Sequence, residues 1–145
     1  MSYEIVKHWT SKVGLKAWVL LVNGGSHHCG YVEIPEALLD KNFYDYTCDD
    51  EETLHIAVHG GVTYQGVPQW ADGIKVIGYD CAHAGDKLKC PKQFIGSLRE
   101  KLYEDSYGVW RDEEYCINEC ESMADQLINL IPKLGFNDEI QNSNG

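Results

Sequence analysis

The stretch that most restricts the fold lies near the C-terminus. Between Asp112 and Ile131, the residues Cys116, Ile117, Cys120, Met123, Ala124, Leu127, Ile128 and Ile131 recur at helical intervals and form one apolar stripe. Asp112, Glu113 and Glu114 put negative charge where a helix N-terminus favours it, and Pro132 and Gly135 follow as stop signals. A long helix with a single apolar stripe must cover another layer. The preceding residues therefore have to supply a surface for it.

That surface reads as a mostly antiparallel sheet. Residues 3–9 carry β-branched and aromatic residues and predict a first strand or extended arm. Lys16–Val22 sets Ala17, Val19 and Leu21 on one face, and Asn23-Gly24-Gly25-Ser26 is a turn signal leading into a return strand over Cys29–Ile34. Pro35–Leu39 suits a short helical turn with proline at its first position. Leu54–His59 alternates with Leu54, Ile56 and Val58 on one side, which predicts another strand before the Gly60-Gly61 turn into Val62–Gln65. Ile74–Asp80 reads as a buried strand, and Pro91–Asp105 as a helix through Phe94, Ile95, Leu98 and Leu102. Strands followed by helices make the expected class α+β: an antiparallel sheet packed by a long C-terminal helix, with a Cys/His metal-binding loop region. One domain is expected over residues 1–135, with a flexible tail over 136–145.

Charge narrows the partners. Twelve basic against twenty-three acidic side chains give a formal net charge of -11, which repels phosphate backbones and disfavours direct nucleic-acid binding. An acidic surface instead steers towards a basic protein. Asp45, Asp49, Asp50, Glu51 and Glu52 crowd one segment beside Tyr44, Tyr46 and Cys48. The ordinary role for such a run is a solvated loop; the sharper one is a partner-binding surface built from Asp49, Asp50, Glu51 and Glu52. The longest apolar run, Ala17–Val22, is far short of the roughly 20 residues a membrane helix needs. Met1-Ser2-Tyr3-Glu4 lacks the features of a signal peptide, so a cytoplasmic protein is expected. In that reducing compartment the six cysteines suit metal binding or burial better than disulfides.

The chemistry concentrates in residues 55–90. Zinc is held by cysteine, histidine and carboxylate ligands, four in a closed structural shell and three in an open catalytic one. Cys81, His83 and Cys90 are three such ligands, Gly85 lets the chain turn back between them, and His59 or Asp86 supplies the fourth. His55 and His59 are four apart, but on a strand their backbones would stand about 13 Å apart, so His59 beside the turn is the better ligand. His27-His28-Cys29 could join Cys48 or His8, although neighbours on a strand point to opposite faces. Cys116 and Cys120, one helical turn apart, fit the core stripe as small hydrophobes or half of a thiol-rich site. A catalytic reading would use His59, Asp80, His83 and Asp86 around a metal that activates water. Neither His-Glu-x-x-His, a nucleophile elbow nor a phosphate loop is present to support it. Gly60-Gly61 could cradle an anion through backbone donors, but a glycine pair is more simply a tight turn.

The runs His59-Gly60-Gly61-Val62-Thr63-Tyr64 and Gly78-Tyr79-Asp80-Cys81-Ala82-His83-Ala84-Gly85-Asp86 resemble those of a widespread group of small phage and prophage proteins. The similarity continues through Trp110-Arg111-Asp112-Glu113-Glu114-Tyr115 and on to Glu119, Cys120 and Glu121, covering roughly residues 55–131. The chain also resembles the zinc-containing anti-CRISPR proteins of streptococcal phages that act against type II-A Cas9. That second resemblance implies a zinc-stabilised inhibitor, active in the host cytoplasm, that binds Cas9 and impedes its loading with guide or target. The expectations ranked after it are a metal-dependent hydrolase or nucleotide-processing enzyme, and a sponge for a nucleotide immune signal.

Overall fold

The computed structural model describes residues 2–44 and 53–133. The fold is α+β: a five-stranded antiparallel sheet with a long C-terminal helix laid across it. The strands are β1 (Tyr3–Thr10), β2 (Lys16–Val22), β3 (His27–Glu33), β4 (Tyr64–Gly66) and β5 (Val76–Asp80), in the spatial order β1-β2-β3-β5-β4. Helix α1 is one short stretch, Glu100–Glu104, and α2 runs Glu113–Lys133. Single 3₁₀ turns occupy Glu36–Leu38, Gln69–Ala71 and Lys92–Phe94.

Helix α2 starts where the charge pattern places it. The Tyr115 backbone N–H donates to Asp112 Oδ1 at 2.8 Å, so Asp112 caps the first turn. The apolar stripe then buries Cys116, Cys120, Met123, Ala124 and Leu127 against Ala17, Val19, Val32, Ile77 and Tyr79 of the sheet. Complete burial of a residue such as Leu127 contributes about 2 kcal/mol. Pro132, expected as a stop, lies inside α2, which continues to Lys133; Gly135 and the tail lie outside the described residues.

The sheet buries both faces. On the side away from α2, Trp18, Leu20 and Val22 of β2 pack with Cys29, Ala71 and Val76, and Trp70, Tyr31 and Ile74 close the cluster. A one-sided reading of β2 catches only Ala17 and Val19; Leu21, expected beside them, is half-exposed near the hairpin end. At the sheet centre, β3 and β5 place Gly30 opposite Tyr79 and Tyr31 opposite Gly78. A Cβ at Gly30 would run into the Tyr79 ring, and one at Gly78 into the Tyr31 ring. The two glycines thus let a tyrosine lie flat against the backbone on each face, which explains glycine in strand interiors where it is otherwise unfavourable.

Two expected elements differ. Residues 54–58 form no strand; Leu54 N–H bonds to the Asn42 carbonyl, and the segment runs beside α2. There Gln126 takes the place of a strand partner: its Oε1 accepts from Ala57 N–H and its Nε2 donates to the Ala57 carbonyl, both at 2.8 Å. The alternation that suggests a strand comes from an extended segment satisfied by helix side chains. The predicted helix over 91–105 is also broken. Gly96 takes φ +85°, leaving one 3₁₀ turn and α1, and Leu98 and Leu102 are 97% and 72% exposed because no layer faces them.

Candidate metal centre

One end of the sheet gathers side chains from three parts of the chain. His59 follows the 54–58 segment and enters a turn in which Gly60 and Gly61 have φ of +70° and +81°, closed by the Gly61 N–H on the Val58 carbonyl at 2.9 Å. Gly60 has a second reason to be glycine, since a Cβ there would meet the His83 ring. His83 and Asp86 belong to the loop that leaves β5, whose Gly85 takes φ +93°. That loop is held to residues 108–109 by Val109 N–H on the Gly85 carbonyl and Lys87 N–H on the Val109 carbonyl, each 2.9 Å. The third part is the start of α2. Arg111, Tyr115 and Glu119 recur every four residues and all three bond to this cluster.

Asp86 is the hub. Its carboxylate is 6% exposed and accepts from His59 Nε2 at 2.9 Å, from the His83 backbone N–H at 3.0 Å and from Arg111 Nε at 3.0 Å. Burial alone would raise its pKa, but the bonds from His59, the His83 amide and Arg111 outweigh it and hold Asp86 below the usual carboxylate value. A carboxylate only accepts, so His59 Nε2 carries a proton, and in the Nε2–H tautomer Nδ1 accepts from the Tyr115 hydroxyl at 2.7 Å. Burial first, then Glu119, pushes the Tyr115 phenol above its ordinary pKa, which keeps that proton in place. The His59 backbone N–H is in turn taken by Glu119 Oε1 at 2.8 Å.

His83 is oriented differently. Its Nδ1 donates to the Asp80 carbonyl at 3.1 Å and lies 3.2 Å from Asp80 Oδ1. That assigns Nδ1 as the protonated nitrogen and leaves Nε2 with its lone pair, the arrangement of a carboxylate-backed metal ligand. His59, His83 and Asp86 each offer a ligand atom, and these atoms all lie within 4.8 Å of one another. Tetrahedral zinc needs ligand atoms about 3.4 Å apart, so the three atoms would have to draw closer to share an ion. An ion on His59 Nε2 would replace the proton shared with Asp86. The ring's proton would then have to move to Nδ1 and be donated to the Tyr115 oxygen, so Tyr115 can partner either tautomer.

The predicted ligand set is therefore divided. His59, His83 and Asp86 come together; Cys81 and Cys90 are not part of that group. Cys81 points into the core, with its sulfur 3.7 Å from Cys116 Sγ, and this contact followed by burial raises its pKa. The Cys90 thiol donates to the Pro91 carbonyl at 3.4 Å. His55 is exposed and outside the cluster. His28 donates from Nδ1 to the Arg111 carbonyl at 2.9 Å, His8 donates from Nδ1 to the Ala17 carbonyl, and Cys29 is buried on the far sheet face, so among the described residues the second histidine cluster does not assemble. Cys116 and Cys120 pack in the core, as the apolar stripe allows. Asp49, Asp50, Glu51, Glu52 and Cys48 lie outside the described residues.

Arg111, Tyr115 and Glu119 had no assigned role in the sequence reading. Their four-residue spacing beside the apolar stripe was the available signal. No protein family, curated protein or solved structure matches the chain. Among the described residues, no helix is long and apolar enough to cross a membrane.

Proposed function

We propose that the protein binds zinc through His59, His83 and Asp86 and works as a metal-dependent hydrolase. The observation that supports this reading is the composition of the cluster: two imidazoles and one carboxylate, with both neighbouring thiols directed elsewhere. Three protein ligands leave a position for water, which is the pattern of catalytic zinc, whereas a closed Cys/His shell would be structural. Bound there, the metal supplies an activated water and polarises the bond to be cleaved. Arg111 holds Asp86 in place through Nε, and its remaining guanidinium donors suit an oxyanion formed next to the metal. Elemental analysis after dialysis against zinc should give an equimolar ion that His59→Ala and His83→Ala lose. Retention of zinc in those variants, or its loss in Cys81→Ser/Cys90→Ser alone, would overturn the ligand set. Absence of turnover on ester, amide and phosphoester panels by the zinc-loaded protein would overturn the hydrolase.

A second reading rests on the net charge of -11. It makes the protein a stoichiometric inhibitor of a basic host nuclease such as Cas9, with the metal bracing the fold and the acidic side chains meeting the partner. Glu113, Glu114 and Asp125 are exposed on α2 and add to that surface. Binding to purified Cas9 should weaken steeply with salt and with simultaneous neutralisation of Asp49, Asp50, Glu51 and Glu52. Salt-independent binding, or none, rejects it.

A further inference from the structure

The sheet face opposite α2 carries a pocket that the metal centre does not use. It has a volume of about 510 Å³, within the range of small-ligand sites, and its lining includes His27, Tyr31, Thr63, Tyr64, Asp80 and His83. The Tyr31 and Tyr64 rings stand 5.8 Å apart at 84°, so the lining contains two mutually perpendicular aromatic rings. Asp80 supplies a carboxylate whose side chain is 32% exposed. Its Oδ1 is engaged by the Ala82 N–H and His83, while Oδ2 accepts the Thr63 hydroxyl at 3.2 Å and keeps capacity for another donor. Among the described residues no lysine or arginine pairs with Asp80, and none lines the pocket. His27 Nδ1 is shielded from solvent and has no hydrogen-bond partner. Burial lowers the His27 pKa, which keeps positive charge off this wall of the pocket.

We infer that this pocket binds a small organic cation, a guanidinium or ammonium group, with its N–H donors directed to Asp80 Oδ2 and its stem against the exposed Tyr64 ring. A carboxylate with a remaining acceptor position beside an exposed aromatic ring is complementary to such a group. An anionic ligand would meet Asp80 with no basic side chain to offset it. A purely apolar ligand would cover the remaining acceptor position of Asp80 Oδ2 without filling it. The pocket shares His83 and its partner Asp80 with the metal centre, so binding is measured on metal-free protein.

The same cation could be a free amine or guanidine, or the side chain of a lysine or arginine on a protein. Titration calorimetry on the EDTA-treated full chain separates these sources. The probes are n-butylguanidinium, n-butylammonium, the uncharged n-pentanamide, and a blocked tripeptide with a central arginine. The cations should bind saturably and the amide at least about tenfold more weakly. Tighter binding of the tripeptide than of butylguanidinium would identify a protein side chain as the occupant, and equal or weaker binding a small molecule. Asp80→Asn should weaken cation binding about tenfold or more. Because Asp80 also orients His83, Tyr64→Leu on the edge strand is the second variant, with an expected loss of about threefold or more. Equal binding of cation and amide, no saturable heat at millimolar concentration, or wild-type affinity in both variants would overturn the inference.

Discussion

Cys81 and His83 stand two residues apart on the same loop and end in opposite surroundings. The Cys81 thiol is 2% exposed, beside the Cys116 sulfur, and its pKa is raised by that neighbour and by burial. A metal binds thiolate, so an uncharged, enclosed thiol is poorly placed as a ligand. His83 is half-exposed, and because its Nδ1 bonds to Asp80, Nε2 is the ring nitrogen left to offer. Ligand type and spacing are equal for the two residues on paper. Access and protonation state separate them: the same loop contributes one side chain to the core and another to a polar centre.

The largest test of that division is Asp86→Ala. It would remove the acceptor shared by His59, Arg111 and the His83 amide, leaving an arginine and an amide without their partner. Arg111 and His59 are partly solvated, so the loss is expected at about 3 kcal/mol, the low end for breaking a buried pair. Urea unfolding of metal-free protein measures it. The pH dependence has a definite sign. Asp86 has a depressed pKa in the folded state, so its stabilisation is complete above the unfolded value near about 4 and fades as pH falls through the folded value. The gap between wild type and variant should therefore narrow on acidification, and a gap that widened would contradict the assigned bonds.

On the core side, Cys116→Ser places a hydroxyl where a weakly polar thiol now packs at 0% exposure. A loss of about 2 kcal/mol in urea unfolding is expected, with zinc content unchanged. If zinc content fell in step with stability, the thiols and the histidines would be one site after all. Tyr115→Phe acts on the other side and more gently. It deletes the hydroxyl that bonds His59 Nδ1 and should cost about 1 kcal/mol of stability. Its sharper effect is on zinc affinity, expected to fall about tenfold in competition with a chelator, since second partners of ligating histidines act on that scale.

The regular parts of the fold were legible because their signals are local. The stripe from Cys116 to Ile131 and the Asn23–Ser26 turn each carry their own period or turn chemistry. Leu54–His59 misled because period-two alternation reports an extended backbone, not what bonds to it, and Gln126 lies sixty-nine residues away. Pro91–Asp105 misled because spacing says nothing about whether a layer exists to cover the apolar side. His59, His83 and Asp86 were visible as ligand types. Choosing them over Cys81 and Cys90 required knowing which side of the loop faces the core, information that resides in the pairing of β5 with β3 and in the seat of α2.

The smallest expected effect is the most discriminating. Cys90 was one of three closely spaced ligand types, yet among the described residues its thiol bonds to the adjacent Pro91 carbonyl, at 3.4 Å, and it lies outside the cluster of His59, His83 and Asp86. Serine preserves both size and the ability to donate that bond, so Cys90→Ser should change unfolding stability by less than about 0.5 kcal/mol. Zinc stoichiometry and affinity should match wild type. A drop in either would mean that the loop after Asp86 swings Cys90 onto the ion as a fourth ligand. That would convert an open centre into a closed one, and the chemistry of the site from hydrolytic to structural.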